Sequence, residues 1–251
     1  MPAYRLFVEL VKKDLKTKYK NSFLGIFWIV LQPVLLAVMF LFVRDQFTYR
    51  LDPVDLNFLD MYALLILWQF FSSSLVRSVN SFPLNYGLVT RIKFPKILLP
   101  LSVIFSCFQE ALVNIAVYFL FMLIFGSVKL PNLFFLFFVL LISGIFITAL
   151  CILVSLLQCF LPDLKLIIPF LTRLSILAVP VFYDEHVISP VLSSIYKYFP
   201  LGWMISATKQ FLSNSSFVDE TALSVSVIGI ILFVIIFFLF KRCEHLVVDH
   251  I

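Results

Sequence analysis

The stretch 131–159, PNLFFLFFVLLISGIFITALCILVSLLQC, contains no charged residue. So long an apolar run has few stable fates. A helix of about 20 such residues crosses the roughly 30 Å hydrocarbon core of a bilayer while satisfying its own backbone hydrogen bonds. Runs of the same kind lie at 23–43, 61–80, 98–125, 165–183 and 221–240. Together the runs predict an all-α polytopic membrane protein with six transmembrane helices. An outer-membrane barrel would need alternating segments of about ten residues, whereas these runs are continuous. Composition excludes a soluble globule: the chain is 62% hydrophobic and 13% charged, against about 45–50% and about 25% in soluble domains.

Charge then reports on sidedness. With the N-terminus in the cytoplasm, the inner segments hold Arg5, Lys12, Lys13, Lys16, Lys18, Lys20, Arg91, Lys93, Lys96, Lys165, Lys241 and Arg242. The outer segments hold Arg44, Arg50, Lys129, Lys197 and Lys209. Twelve against five sets both termini inside by the positive-inside rule. The net charge of +5 is explained by this asymmetry, so nucleic-acid binding is not expected. Cys107, Cys151, Cys159 and Cys243 show no CxxC spacing and read as small buried hydrophobes. The charged lead before the first run has no small-residue cleavage site after it and reads as retained rather than as a signal peptide.

Three segments outside the spans have a character of their own. In 3–20, Tyr4, Phe7, Val8, Val11, Leu15 and Tyr19 recur at helical spacing, with Lys12, Lys13, Lys16 and Lys20 mostly off that stripe. This predicts an amphipathic interfacial helix. Its basic face would attract anionic lipid at about 1 kcal/mol per Lys or Arg near the surface. The loop FPLNYGLVTRIKFPKILLP from Phe82 predicts a short amphipathic helix over 85–93, capped by Asn85 and stopped by Pro95. Such a helix suits docking on a partner; a plain interfacial loop is the alternative. The segment 189–212 is too apolar for water and too interrupted by Pro190 and Pro200 to span, and reads as a re-entrant segment.

Ionisable groups within the spans need partners, since each costs about 2.5–3.5 kcal/mol at a helix centre. Arg77, Glu110 and Arg173 are such groups, and Glu110 is expected to pair with Arg77 or Arg173. Gln32, Gln69, Gln158 and Asn114 read as interhelical hydrogen bonds rather than ligands. Pro33 and Pro169 are expected to kink their spans. No catalytic constellation is visible: His186, His245 and His250 are scattered, and no two glycines have the separation a phosphate-binding P-loop needs. ATP hydrolysis, if used, belongs to another polypeptide.

KDLKTKYKNSFLGIFWIVLQP from Lys13, the loop from Phe82, and DLK at 163–165 followed by a span ending VPVFY occur in this order. Together they resemble the ABC-2 type permeases that export cell-surface polysaccharides such as O-antigen, capsule and wall teichoic acid. The resemblance covers essentially the whole chain. It implies a homodimer of six-span subunits in the bacterial cytoplasmic membrane. Two copies of a separate ABC ATPase would bind below it and carry the ATP and magnesium, with no cofactor in this chain. The family's coupling helix would fall on 85–93, with Asn85, Tyr86, Leu88, Arg91 and Lys93 at the ATPase. Phe23, Phe27 and Trp28 in the first span, and Phe170, Phe182 and Tyr183 in the fifth, are candidates to line the channel for a lipid-linked glycan. Lys12, Lys13, Lys16 and Lys18 would recruit the phosphate of its lipid carrier, or simply anchor the helix to the membrane. The alternatives are an ABC-2 permease for a lipid or drug, and a membrane enzyme acting on polyprenyl-linked sugars.

Overall fold

The computed structural model describes residues 3–20, 22–47, 57–126, 128–178, 198–214 and 220–244, and no strand occurs among them. Helix α1 (Ala3–Tyr19) is followed by a 3-10 turn, Gly25–Phe27, that runs directly into α2 (Trp28–Phe47). Then come α3 (Phe58–Val79), a second 3-10 turn, Pro83–Asn85, and the short α4 (Tyr86–Arg91). The rest is α5 (Leu98–Ile124), α6 (Leu130–Phe160), α7 (Leu164–Ala178), α8 (Pro200–Asn214) and α9 (Glu220–Cys243).

The bundle is built around α3. Its consecutive residues Met61 to Leu67 are all buried, which requires a helix to be enclosed on every side. The neighbours are α2, α5, α6, α7 and α8. A capping box starts α3: the Asn57 side chain accepts from the Asp60 N–H at 3.0 Å, and the Asp60 carboxylate accepts from the Asn57 N–H at 3.2 Å. Against α6, α9 packs closely at Gly229, where a Cβ would lie 3.3 Å from that of Phe146. The outer helices keep apolar side chains exposed, among them Val38, Met39 and Phe42 on α2 and Ile231, Ile235 and Phe238 on α9. Such faces are stable in lipid, not in water.

Five helices among the described residues are long and apolar enough to cross a membrane: Gly25–Val43, Phe58–Val79, Leu98–Ile124, Leu130–Phe160 and Ala222–Cys243. In place of the expected run 165–183 stands α7, with 15 residues, or about 22 Å at 1.5 Å per residue. Residues 179–183 lie outside the described residues. Pro33 and Pro169 fall inside α2 and α7. Helix α2 starts later than the apolar run, at Trp28 rather than 23, because Gly25 takes φ +50. A left-handed residue cannot continue an α-helix. The expected re-entrant segment 189–212 is described only from residue 198. There α8 begins on Pro200, a favoured first position, and buries Leu201, Trp203, Met204 and Ile205 against the bundle.

Candidate functional site

Phe7, Val11, Asp14 and Lys18 follow one another at intervals of four, three and four along α1, so they share one face of the helix. That face is turned into the bundle: Leu10 and Val11 are buried, and Phe7 meets Phe105 of α5 edge to face at 5.7 Å. The stripe therefore carries two charges inward. Both are met. Lys18 Nζ donates to Glu110 Oε2 at 2.7 Å, and Arg77 Nη1 donates to Glu110 Oε1 at 2.8 Å. The other guanidinium nitrogen, Nη2, donates to Asp14 and, at 2.9 Å, to the hydroxyl of Ser106, which also bonds Asp14. Among the described residues, two cations and two carboxylates form a network linking α1, α3 and α5. Glu110 is its most buried member, with 7% of its side chain exposed; Asp14 and Lys18 keep 27% and 30%.

Desolvation of buried ions offsets most of their attraction, so such a network contributes orientation more than stability. Here it fixes the pose of α1 on the bundle. Both oxygens of Glu110 are engaged, and Arg173, exposed on α7, does not join them. The four lysines assigned together to lipid also divide. Lys12 pairs with Glu9 at 3.0 Å and Lys16 is exposed, whereas Lys18 turns inward to Glu110. At about 100° per residue they cannot share one face.

Lys13 reaches the loop after α3. Its Nζ donates to Asn85 Oδ1 at 2.6 Å, and the Asn85 amide donates to the Ser81 carbonyl at 2.8 Å. The Asn85 side chain is therefore not a cap for α4, contrary to expectation, because both its polar atoms serve this bridge. Helix α4 ends at Arg91, with Ile92 already extended three residues before Pro95. Val89 anchors it in a core shared with Leu10, Phe82, Leu99 and Phe240. Leu84, Tyr86, Arg91, Ile92 and Lys93 are exposed, and Leu88 is half-buried. At the far end of the loop, Glu244 accepts from the Lys96 backbone N–H at 2.7 Å. That places a carboxylate at the start of α5, where free N–H groups and the helix dipole favour an anion. The loop is thus braced at both ends and open on one face.

Between α2 and α3 runs a groove of about 510 Å³, walled by Lys18 and Arg77 at one end, by Gln32, Trp68, Gln69, Ser72 and Ser73 beyond, and by the apolar Leu35, Leu36 and Val76 between them. Gln69 donates to Gln32 at 3.3 Å, and the Trp68 indole N–H donates to Ser175 of α7 at 3.1 Å. A second groove, about 560 Å³ and mostly apolar, lies between α1, α5, α6 and α9. Of the aromatics expected to line a channel, Phe23, Phe27 and Phe170 are exposed and Trp28 is half-buried. Phe182 and Tyr183 lie outside the described residues. Asn114 accepts from Tyr62 at 3.1 Å, as an interhelical bond.

Asp14, Ser106 and Glu244 carry this geometry without having stood out in the sequence. Asp14 had a signal: a lone carboxylate in the Phe7–Val11 register of a basic helix. Glu244 had none, since its partner is a backbone group.

Several membrane-crossing helices, one amphipathic helix bound to them through ions, and an exposed helix braced in a loop define a multi-pass membrane protein. The chain belongs to the ABC-2 type transporter family, whose family model matches residues 5–212. It is 29% identical over 245 residues to an O-antigen export system permease protein RfbA of Klebsiella pneumoniae, covering 96% of this chain and 93% of that one. A second RfbA permease of that species is 27% identical with the same coverage. An RfbA permease of Myxococcus xanthus is 32% identical over 100 residues, 39% of this chain and 37% of its own.

Proposed function

We propose that this chain is the channel-forming transmembrane subunit of an ATP-driven exporter. Its cargo is a lipid-linked cell-surface polysaccharide of O-antigen, capsule or teichoic acid type, moved across the bacterial cytoplasmic membrane. The observation that carries the proposal is near full-length similarity to O-antigen export permeases. In this reading two copies form the channel, each with six spans and both termini in the cytoplasm, α7 being the fifth span. Two copies of a separate ABC ATPase dock on α4 and the residues after it, at Tyr86, Leu88, Arg91 and Lys93. ATP and magnesium are bound there, and this chain needs no cofactor of its own.

The braced loop supports a route for the work. Displacement of α4 pulls on α1 through Asn85 and Lys13, and α1 leads through the Gly25–Phe27 turn straight into α2. Movement of the loop would therefore shift α1 and α2 against α3 and widen the passage beside α2. Nucleotide must favour one of these positions over the other, since a ligand shifts an equilibrium only by its differential affinity. Phe23, Phe27, Trp28 and Phe170, together with Phe182 and Tyr183, would present ring faces to the glycan. Lys12 and Lys16, outward on α1, would hold that helix on the anionic inner leaflet and attract the carrier's phosphate.

The test is Arg91→Glu with Lys93→Glu, both exposed. Expected are normal levels of the chain in the membrane, loss of the co-purifying ATPase and loss of surface glycan. Unchanged co-purification and glycan display would refute the docking assignment. One observation favours a second reading, an ABC-2 permease for a lipid: the apolar groove floored by Gly144 would suit an acyl chain.

A further inference from the structure

The groove between α2 and α3 carries more polar groups than two membrane helices need to stay together. Gln32 is exposed on α2, and its single bond to Gln69 is long at 3.3 Å. The side-chain oxygen of Gln69 is buried without a partner. Turning that amide over merely exchanges which of its atoms is left. Ser72 and Ser73 continue the wall, and Trp68 closes it with its indole held by Ser175. From Trp68 to Arg77 the wall follows α3 for about 13 Å at 1.5 Å per residue. Leucines at these positions would seal α2 against α3. Polar side chains at membrane depth are costly unless protein, water or a polar ligand satisfies them.

The lining selects among ligands. An acyl chain would pack against Leu35, Leu36 and Val76 but leave the Gln69 oxygen unmet. A bare phosphate would find Lys18 and Arg77 already neutralised by Glu110 and Asp14. A hydroxyl-bearing ring fits: the amides donate and accept, Ser72 adds a hydroxyl, Ser73, which donates to the Phe70 carbonyl at 3.4 Å, can still accept, and Trp68 supplies an aromatic wall. The volume, about 510 Å³, lies within the roughly 300–1,000 Å³ usual for small-molecule sites.

We propose that this groove is a saccharide subsite, in which Gln32 and Gln69 hydrogen-bond one sugar unit of the cargo and Trp68 supports its ring. The inference rests on the export reading for the identity of the cargo. On occupation the Gln32–Gln69 bond opens and both amides turn to the sugar, so the ligand parts α2 from α3.

The test uses the full chain in lipid nanodiscs and two probes, farnesyl diphosphate bearing one N-acetylglucosamine and farnesyl diphosphate alone. The native chain is expected to bind the sugar-bearing probe at least tenfold more tightly. Gln32→Leu with Gln69→Leu should abolish that preference and leave binding of the sugarless probe unchanged. Equal binding of the two by the native chain, or a preference that survives the leucines, overturns the subsite. A second measurement guards against a packing defect. In a Cys243→Ser background, Ser72→Cys should react with a membrane-impermeant thiol reagent and be protected by the sugar-bearing probe alone. An unreactive thiol, or equal protection by both probes, also overturns it. Failure of the export reading registers separately: deletion of the chain would leave surface glycan intact, while the sugar preference and its loss in the leucine variant would still stand.

Discussion

Exchanging the charges of Arg77 and Glu110 discriminates sharply between an isolated ion pair and the four-membered network. For an isolated pair, Arg77→Glu with Glu110→Arg restores the attraction that either single change destroys. In the network it does not. The new arginine on α5 would stand against Lys18, now 2.7 Å from the Glu110 carboxylate, and the new glutamate on α3 against Asp14. At an effective dielectric of about 20, two unit charges near 4 Å interact by about 4 kcal/mol. Turning two such attractions into repulsions makes the exchange worse than Arg77→Gln alone. That single change should cost about 3 kcal/mol, the low end of the range for breaking a buried pair, because Asp14 and Lys18 are partly exposed. Adding Asp14→Lys and Lys18→Asp to the exchange restores alternation of sign and should recover most of the loss. The assay is the temperature at which half of the purified chain loses its monodisperse elution. At about 2–4 °C per kcal/mol, Arg77→Gln should lower it by about 6–12 °C and the two-residue exchange by more. An exchange variant as stable as the native chain would refute the network and detach α1 from it.

Three further outcomes are expected. Asn85→Ala removes the contact with Lys13; since that pair is exposed, the same assay should register less than about 1 kcal/mol, while surface glycan falls because α1 no longer follows the loop. Asn57→Ala breaks the capping box of α3 and should cost about 1 kcal/mol, read as a drop of about 2–4 °C. Gly144→Leu fills the apolar groove where nothing lies within 4 Å of a Cβ; glycan export should survive it, and its loss would put this groove on the path of the cargo.

Hydropathy sufficed for the helices because each long run reports on itself: 61–80, 98–125 and 131–159 reappear within three residues as α3, α5 and α6. It did not locate the start of α2, where Phe23 to Phe27 are apolar enough to enter a helix but the backbone of Gly25 is not helical. The charged network was half legible. Arg77 and Glu110 stand out because they are costly in a span, but Asp14 and Lys18 lie in a basic helix whose other charges face outward, and only the register with Phe7 and Val11 distinguishes them. Asn85 reads as a cap by residue type; the competing donor, Lys13, is far away in sequence and close only in the fold. The polar wall of α3 is a helical stripe, Gln69, Ser72, Ser73 and Arg77, whose meaning depends on Gln32 of another helix.

The proposed membrane passage for a lipid-linked glycan, driven by a separate ATPase, can be assayed in inverted inner-membrane vesicles from cells that make the glycan. The assay needs no purified component. It follows labelled lipid-linked glycan as it becomes protected inside them, with and without ATP and with and without the chain. Protection is expected only when ATP, the ATPase and this chain are all present. Protection that proceeds unchanged in vesicles lacking the chain would refute its role as that passage.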